Sequence, residues 1–226
     1  MPTLREVVVE VSRYLVDQEP EFEFTHWEEQ DVLTYLQDAL RILAINLKYL
    51  FVSDKIIDLK PGAYQQTGDG CSDLRAVLGS VDRHGALISG ARRTSLRASQ
   101  ALNRPICAVS GDGGYKLTNF QLDPGNPKTF YVQPPVPRRG RHRALVSCFS
   151  VPKLRSLDQE LSVGDEYIPI IKEFMLYYAY GRDTESVPAR DYQKTHWDRG
   201  VLLLGAAKTT QVVVTAVAQT PAEVPV

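Results

Sequence analysis

The sequence contains no hydrophobic run that could cross a membrane. A membrane helix needs ~18 or more consecutive apolar residues, and no window of the 226-residue chain comes near that length. The N-terminal segment carries Arg5, Glu6 and Glu10, whereas a signal peptide would be apolar there. These absences predict a globular protein without membrane contact that is intracellular or is exported by another route.

Cysteine is almost absent, with three residues in the whole chain. Cys71, Cys107 and Cys148 are odd in number, far apart and without any CxxC spacing. Disulfide frameworks use even numbers of cysteines, and zinc sites use closely spaced ones. The sequence therefore predicts neither, and we expect free thiols that are buried or idle.

Motifs for catalysis or for binding a metal or a cofactor are also lacking. The histidines show no metal-ligand spacing: His26, His84, His142 and His196. GDGGYK at 111–116 lacks the ending of a phosphate-binding loop and is more typical of a hairpin turn. We therefore predict no catalytic residue, no cofactor and no metal. An enzyme whose site is assembled only by the fold stays open as an alternative, and it would show a deep pocket lined by titratable groups.

Both ends of the chain show helical periodicity. Apolar residues recur at helical spacing over 4–15, which predicts a first helix that ends before an acidic linker around Pro20. Thr25-His26-Trp27-Glu28 has the form of a capping box and predicts the start of a second helix. Leucines then step by three and four residues along a narrow apolar seam: Leu33, Leu36, Leu40, Leu43, Leu47 and Leu50.

The middle of the chain, from about residue 55, has short β-like runs separated by Gly, Pro and Asp. Its clearest segment is FQLDPGNPKTFYVQPPVP at 120–137, where two Asx-Pro steps predict Asx turns and a chain reversal. A strand should follow and end at the double proline, because proline cannot donate to a β-ladder. Together with the alternating runs at 116–122 and 143–150, this strand predicts an antiparallel meander of at least three strands. The turn and strand residues are Asp123, Pro124, Pro127, Phe130, Tyr131, Pro134 and Pro135, with Tyr131 facing opposite to Phe130 and Val132.

Helical spacing returns near residue 168. One helix should end near Gly181, and another should start near Pro188 and carry Ala189, Tyr192, His196 and Leu203 on one side. Beyond Ala207 the sequence becomes β-branched and ends among prolines, which predicts an extended arm. The predicted fold class is therefore α+β, a helical bundle built from both chain ends with an inserted antiparallel β-rich domain. The predicted boundaries are 1–54 and 157–207 for the bundle, 55–156 for the β-rich insertion and 208–226 for the arm.

The net charge of −1 hides an uneven distribution. The first 31 residues hold nine acids and two arginines, whereas residues 83–104 hold five arginines and no acid. The densest positive run is a predicted turn containing Arg138, Arg139, Arg141 and Arg143. Such a turn could contact phosphate groups without reading base sequence, or it could be solvated or paired with an acidic neighbour. A sequence-nonspecific DNA-binding protein that uses this region is the alternative function.

Four blocks in order carry a family resemblance: LREVVVEVSRYLVD, FTHWEEQDVLTYLQDALRILAINLK, FQLDPGNPKTFYVQPPVP, and the closing helices from DEYIPIIKEF to VLLLG. Together they resemble the head-to-tail adaptor (connector) proteins of tailed bacteriophages, the type called tail tubular protein A in short-tailed phages. The resemblance spans about residues 3–205. It departs at 85–105 and after 207.

The resemblance implies a structural virion protein at the head–tail junction that is assembled in the host cytoplasm and is not an enzyme. Copies would form a homo-oligomeric, dodecameric ring beneath the portal protein, continue the DNA channel and support the tail nozzle or tail-tube protein. We expect Val212, Val213, Val214 and Val217 to dock on the portal or on a neighbouring subunit as an added strand or arm. The four arginines of the basic turn are expected to contact DNA or the nozzle.

Overall fold

The computed structural model of the chain describes residues 3–15, 18–19, 22–23, 27–94, 115–182 and 187–219; of these, the side chains of 18–19, 22–23, 187 and 211–219 are not described. The chain divides into two compact units. The helical unit comprises Met1–Leu50 and Val151–Val226, and the β-unit comprises Phe51–Ser150. Helices occupy both ends of the chain and two sheets occupy its middle, which confirms the predicted α+β class.

The first helix, α1 (Leu4–Tyr14), begins at a capping box. The Thr3 hydroxyl accepts a hydrogen bond from the Glu6 backbone N–H at 3.3 Å, and the Glu6 carboxylate accepts one from the Thr3 N–H at 3.0 Å. The apolar face of α1 is buried, as its periodicity predicted. At the predicted capping box, Thr25 and His26 lie outside the described residues. The N-cap of the next helix is Glu28, which makes no side-chain capping bond.

The second helix, α2 (Glu29–Asn46), carries the leucine seam and is followed by a 3₁₀ turn at Lys48–Phe51. Leu36, Leu40 and Leu43 are completely buried, because steps of three and four residues keep them on one side of the helix. The short pair β1 (Gln18–Glu19) and β2 (Phe22–Glu23) is antiparallel and lies between α1 and α2 in sequence.

The remaining helices are α3 (Ile168–Arg182), which follows a 3₁₀ turn at Asp165–Tyr167, and α4 (Val187–Gln219). Helices α1, α2 and α4 each contact α3. The two ends of the chain also meet through hydrogen bonds: the Leu4 N–H donates to the Gln159 carbonyl at 3.1 Å, and the Leu154 N–H donates to the Gln37 amide oxygen at 3.0 Å. The N- and C-terminal segments therefore form one scaffold.

The extended arm predicted for 208–226 is wrong over its described part, because α4 runs without a break to Gln219. Helix propagation is cooperative, so a segment that continues a long helix needs less intrinsic helix propensity than one that must nucleate alone. The hydroxyls of Thr209 and Thr210 donate to the carbonyls of Gly205 and Ala206, one helical turn earlier. Both hydroxyls therefore have hydrogen-bond acceptors within the helix.

The described residues of the β-unit form two four-stranded sheets. The first has the order β3 (Val52–Leu59), β10 (His142–Phe149), β5 (Asp73–Val81), β6 (Leu87–Gly90), and every pair in it is antiparallel. The second has the order β4 (Gly62–Gln66), β9 (Thr129–Val136), β8 (Asn119–Leu122), β7 (Arg92–Arg93), with β7 parallel to β8. One apolar core contains residues from both sheets, including Leu74, Val77, Phe120, Phe130, Val132, Ala144 and Val146. Residues 95–114, which overlap the stretch 85–105 that departs from the family pattern, lie outside the described residues.

The predicted Asx turns before β9 are confirmed. The Asp123 carboxylate accepts hydrogen bonds from the Gly125 N–H and the Thr129 hydroxyl, both at 2.9 Å, and the Asn126 side chain accepts one from the Lys128 N–H at 3.0 Å. Pro124 and Pro127 lie within this reversal. The alternation on β9 is also confirmed, since Phe130 and Val132 are buried and Tyr131 is 43% exposed.

The prediction that β9 ends at the double proline is wrong. The strand continues through Pro134 and Pro135 to Val136. This is possible because the β4–β9 register shifts between the Gly62–Val136 and Tyr64–Tyr131 pairs, so the prolines lie in an irregularity where no ladder donor is needed.

The prediction of a three-stranded meander is also wrong. Only its β8–β9 pair is found, because β10 pairs with β3 and β5 in the other sheet. Alternation along a strand identifies its buried face but not its neighbours.

Cys71 and Cys148 form a disulfide with Cα atoms 5.3 Å apart, contrary to the predicted free thiols. Antiparallel pairing places Cys148 opposite Leu74, three residues after Cys71. The sequence separation of 77 residues concealed this proximity. Cys107 lies outside the described residues.

We expect reduction of this disulfide to destabilise the β-unit by about 4 kcal/mol, because the bond closes a long loop in the unfolded chain. Thermal unfolding with and without a reductant measures the effect. A Cys71→Ala/Cys148→Ala variant should melt at the lower temperature and should not respond to the reductant, whereas Cys107→Ala should still respond. Equal melting temperatures of the wild type in both conditions would show that the bond does not form.

Candidate functional site

Helices α3 and α4 form an antiparallel pair in close contact. Gly181 on α3 lies against Gln193, and Gly200 on α4 lies against Phe174. A Cβ atom added to Gly200 would lie 3.0 Å from the nearest atom of the Phe174 ring. Glycine therefore lets the backbone of α4 approach the buried face of α3.

Aromatic rings fill the seam between these two helices. The Trp197 ring lies 5.6 Å from the Phe174 ring and 4.9 Å from the Tyr177 ring, and Tyr180 lies 5.4 Å from Tyr192. Ring pairs at such separations contribute about 0.5–1.5 kcal/mol beyond the area that they bury. Tyr192 and Trp197 are still 54% and 39% exposed, so their outer surfaces remain accessible.

His196 and Glu173 form a hydrogen-bonded pair across the same seam. Nδ1 of His196 lies 2.7 Å from a carboxylate oxygen of Glu173, and the His196 ring stacks on Tyr180 with 5.5 Å between centroids. Sequence analysis missed this pair because helical spacing shows which residues share a face but not which residue of another helix lies opposite. The pair connects α3 with α4. Within the described residues, no group of three or more His, Cys, Asp or Glu side chains that could bind a metal is found.

The buried face of α4 differs by part of a turn from the predicted one. Ala189, Gly200 and Leu204 are buried, while Tyr192 and Leu203 of the predicted stripe are exposed. Three consecutive apolar residues, Val201, Leu202 and Leu203, are 47%, 74% and 36% exposed. We call Trp197 and these three residues the outer face of α4.

Helix α4 is longer than the helix that supports it. Because Gly200 lies against Phe174 and the helices are antiparallel, residue 206 lies level with Ile168, where α3 begins. The remaining residues to Gln219 extend about 20 Å at 1.5 Å per residue. The predicted docking residues Val212, Val213, Val214 and Val217 all lie in this extension, and their side chains are not among those described.

The basic turn connects β9 in one sheet with β10 in the other and is not a hairpin tip. Arg141 donates two hydrogen bonds of 2.9 Å to the two carboxylate oxygens of Asp58 on β3. These hydrogen bonds lower the pKa of the Asp58 carboxyl below its ordinary value and raise that of Arg141. Both side chains are exposed, and such a pair contributes little to stability.

The other arginines of the turn differ in their surroundings. Arg143 donates to the backbone carbonyl of Asp82, which attaches the start of β10 to the end of β5. Arg138 and Arg139 are exposed, and Gly140 beside them has a φ of +91°, which closes the turn. Of the four predicted contact residues, Arg141 and Arg143 therefore make hydrogen bonds within the β-unit. Arg138 and Arg139 are exposed.

A family model described as SU10 adaptor protein matches residues 2–222, almost the whole chain. A comparison with curated proteins finds no significant match. Among the residues that the structure describes, no helix is long and apolar enough to span a membrane. The chain belongs to the SU10 adaptor protein family and is a head–tail adaptor of tailed bacteriophages, a structural component of the virion.

Proposed function

We propose that copies of this adaptor form a dodecameric ring that joins the portal protein to the tail nozzle or tail-tube protein and continues the DNA channel. The observation that carries this proposal is the outer face of α4, together with its extension beyond α3. A helix of a globular unit normally directs its apolar residues to the core. Helix α4 has an exposed apolar stretch and extends beyond the end of α3, against which it packs. Both features favour a contact with another protein.

A ring requires each copy to use two different surfaces, since one face must meet the opposite face of the next copy. The outer face of α4 and its extension supply one such surface. The contact is a helix laid against a neighbour or the portal, a common mode of peptide recognition, and replaces the added strand expected from sequence. Modest contacts become strong when a ring repeats them on a preassembled partner, through effective concentration.

The exposed Arg138 and Arg139 are proposed to face the tail nozzle or the DNA in the channel. Their guanidinium groups lie on a turn closed by Gly140, at the surface of the β-unit. Contacts of this kind are electrostatic and do not require a base sequence. They suit a surface past which DNA must move.

Truncation after Ala207 should abolish docking on the portal while the fold stays intact, because it removes only the α4 extension. Leu202→Glu should weaken docking as well, since it places a charge in the proposed contact, and it should leave the unfolding free energy within about 0.5 kcal/mol of wild type. Electron microscopy of the adaptor mixed with the portal protein of its phage measures ring formation.

The matched controls are truncation after Gln219, which keeps all of α4, and Ile45→Glu, which places the same charge at a 71% exposed position of α2. Both controls should form rings. Normal rings on portals from the protein truncated after Ala207 would rule out the docking role of this helix.

A further inference from the structure

Two turns of the β-unit meet beside a cleft of about 630 Å³. One is the β5–β6 turn at 82–86, and the other is the basic turn with the first residues of β10. Strands β5 and β10 are neighbours, and Arg143 pairs with Val81 in their register. This pairing brings the two turns together, although they are about 60 residues apart in sequence.

Positive side chains dominate the lining of the cleft. Three arginines, Arg83, Arg141 and Arg143, line it together with one carboxylate, Asp82. The nearby Asp58 carboxylate is engaged by Arg141. The two histidines of the same lining, His84 and His142, add ring nitrogens that can hydrogen-bond.

Both turns hold their polar groups in place through local hydrogen bonds. The Asp82 carboxylate accepts bonds from the backbone N–H groups of Ala86 at 2.9 Å and His84 at 2.8 Å. These backbone hydrogen bonds, that from Ala86 foremost, lower the pKa of the Asp82 carboxyl. On the opposite turn, Nε2 of His142 lies 2.9 Å from the Arg139 carbonyl, and the His142 ring lies 5.2 Å from the Tyr115 ring.

Arg83 and Arg143 retain hydrogen-bond donors for a ligand. Nε of Arg83 donates to Nε2 of His84 at 2.9 Å, and one terminal nitrogen of Arg143 donates to the Asp82 carbonyl. A guanidinium has five N–H donors, so several remain on each side chain. In the part of the chain that the structure describes, neither arginine forms an ion pair with a carboxylate.

We propose that this cleft binds a phosphate group, either of a nucleic-acid backbone or of free phosphate, between Arg83 and Arg143. A single arginine fork suffices for a planar carboxylate, whereas the several oxygens of a phosphate can accept bonds from both turns at once. Beside the arginines, Ile88 and the buried Tyr115 supply an apolar wall for the group that carries the phosphate. The site lies within one β-unit and does not depend on the proposed ring.

The test compares two double variants of the full-length protein that remove equal charge. Arg83→Gln/Arg143→Gln changes the cleft, and Arg92→Gln/Arg93→Gln changes two exposed arginines of β7 that lie outside its lining. The probes are inorganic phosphate, a single-stranded DNA dodecamer and a glutamate-rich peptide of equal charge. Binding is followed by nuclear magnetic resonance of the arginine side chains and, for the dodecamer, by fluorescence anisotropy at several salt concentrations.

The cleft variant should lose about tenfold or more in phosphate affinity, and the β7 variant should keep its phosphate affinity within about twofold of wild type. Arg143 also bonds to the Asp82 carbonyl, so its replacement removes a contact within the fold. Arg83→Gln alone changes an exposed position and should lower the phosphate affinity without disturbing the fold. A dodecamer that competes with phosphate and shows salt-dependent binding identifies nucleic acid as the source. Phosphate binding without dodecamer binding identifies free phosphate. Equal losses in both double variants, tighter binding of the glutamate-rich peptide than of the dodecamer, or no binding of either phosphate probe would overturn the proposal.

Discussion

Gly79→Ala should unfold the β-unit, or destabilise it by on the order of 4 kcal/mol. Gly79 lies on β5, where β6 pairs closely with it. An added Cβ would overlap the Ser89 carbonyl oxygen and lie 2.8 Å from its carbonyl carbon. These are backbone atoms of a paired strand, so no side-chain rotation can relieve the overlap and β6 must move away.

Displacement of β6 should spread through the hydrogen bonds of Ser80 and Ser89. The Ser80 hydroxyl accepts from the Leu117 N–H at 2.6 Å, and the Ser89 hydroxyl donates to the Leu117 carbonyl at 3.1 Å. Hydrogen exchange measured by mass spectrometry should show lost protection in β5, β6 and β10. Gly68→Ala is the control, because a Cβ there meets no atom within 4 Å. Equal protection in both variants would contradict the prediction.

Phe174→Ala should destabilise the helical unit by about 3–5 kcal/mol, the usual cost of removing a buried phenylalanine. Phe174 is completely buried on α3, the helix that contacts α1, α2 and α4. Its ring packs against Gly200 and Trp197. Gly200 has no side chain that could move into the cavity.

Urea unfolding followed by circular dichroism and tryptophan fluorescence measures this loss. Both tryptophans of the chain, Trp27 and Trp197, belong to the helical unit. Leu202→Ala is the matched control, because Leu202 is 74% exposed on α4 and its truncation should change the unfolding free energy by no more than about 0.5 kcal/mol. A Phe174→Ala variant as stable as this control would show that α3 and α4 do not pack as described.

Phe174→Ala and Leu202→Glu should affect different properties of the protein, its stability and its assembly. Phe174 and Leu202 lie on the same helical pair, and one is buried while the other is exposed. We expect loss of Phe174 to reduce assembly only through unfolding, whereas Leu202→Glu should reduce assembly in a folded protein. A hydrophobic residue that contributes little to the stability of its own unit is more useful as a contact for another chain.

The candidate contact residues were only partly predictable. The arginines of the basic turn were conspicuous in sequence, but their positions show three different roles. Arg141 pairs with Asp58, Arg143 attaches β10 to the Asp82 carbonyl, and Arg138 and Arg139 lie exposed beside Gly140. Arg83 belongs to the positive stretch 83–104 seen in the sequence, but its relation to Arg143 was not predictable, because that relation depends on the pairing of β5 with β10.

The features that the sequence determined by itself are those set by near neighbours in the chain. The leucine seam of α2, the Asx turns at Asp123 and Asn126 and the buried face of Phe130 follow from helical period, turn chemistry and strand alternation. Each of these rules acts over a few residues, and at these positions the contacts with distant parts of the chain agree with it. The family resemblance likewise depended on blocks read in order along the chain.

Tertiary structure alone decided which distant segments meet. It placed β10 in the first sheet, joined Cys71 to Cys148, set Glu173 opposite His196 and let β9 pass through Pro134 and Pro135. It also kept α4 helical to Gln219, where local β-propensity favoured an extended arm. The physical reason is that sheet order, helix pairing and helix propagation depend on contacts or cooperativity between residues whose separation in the chain carries no local signal.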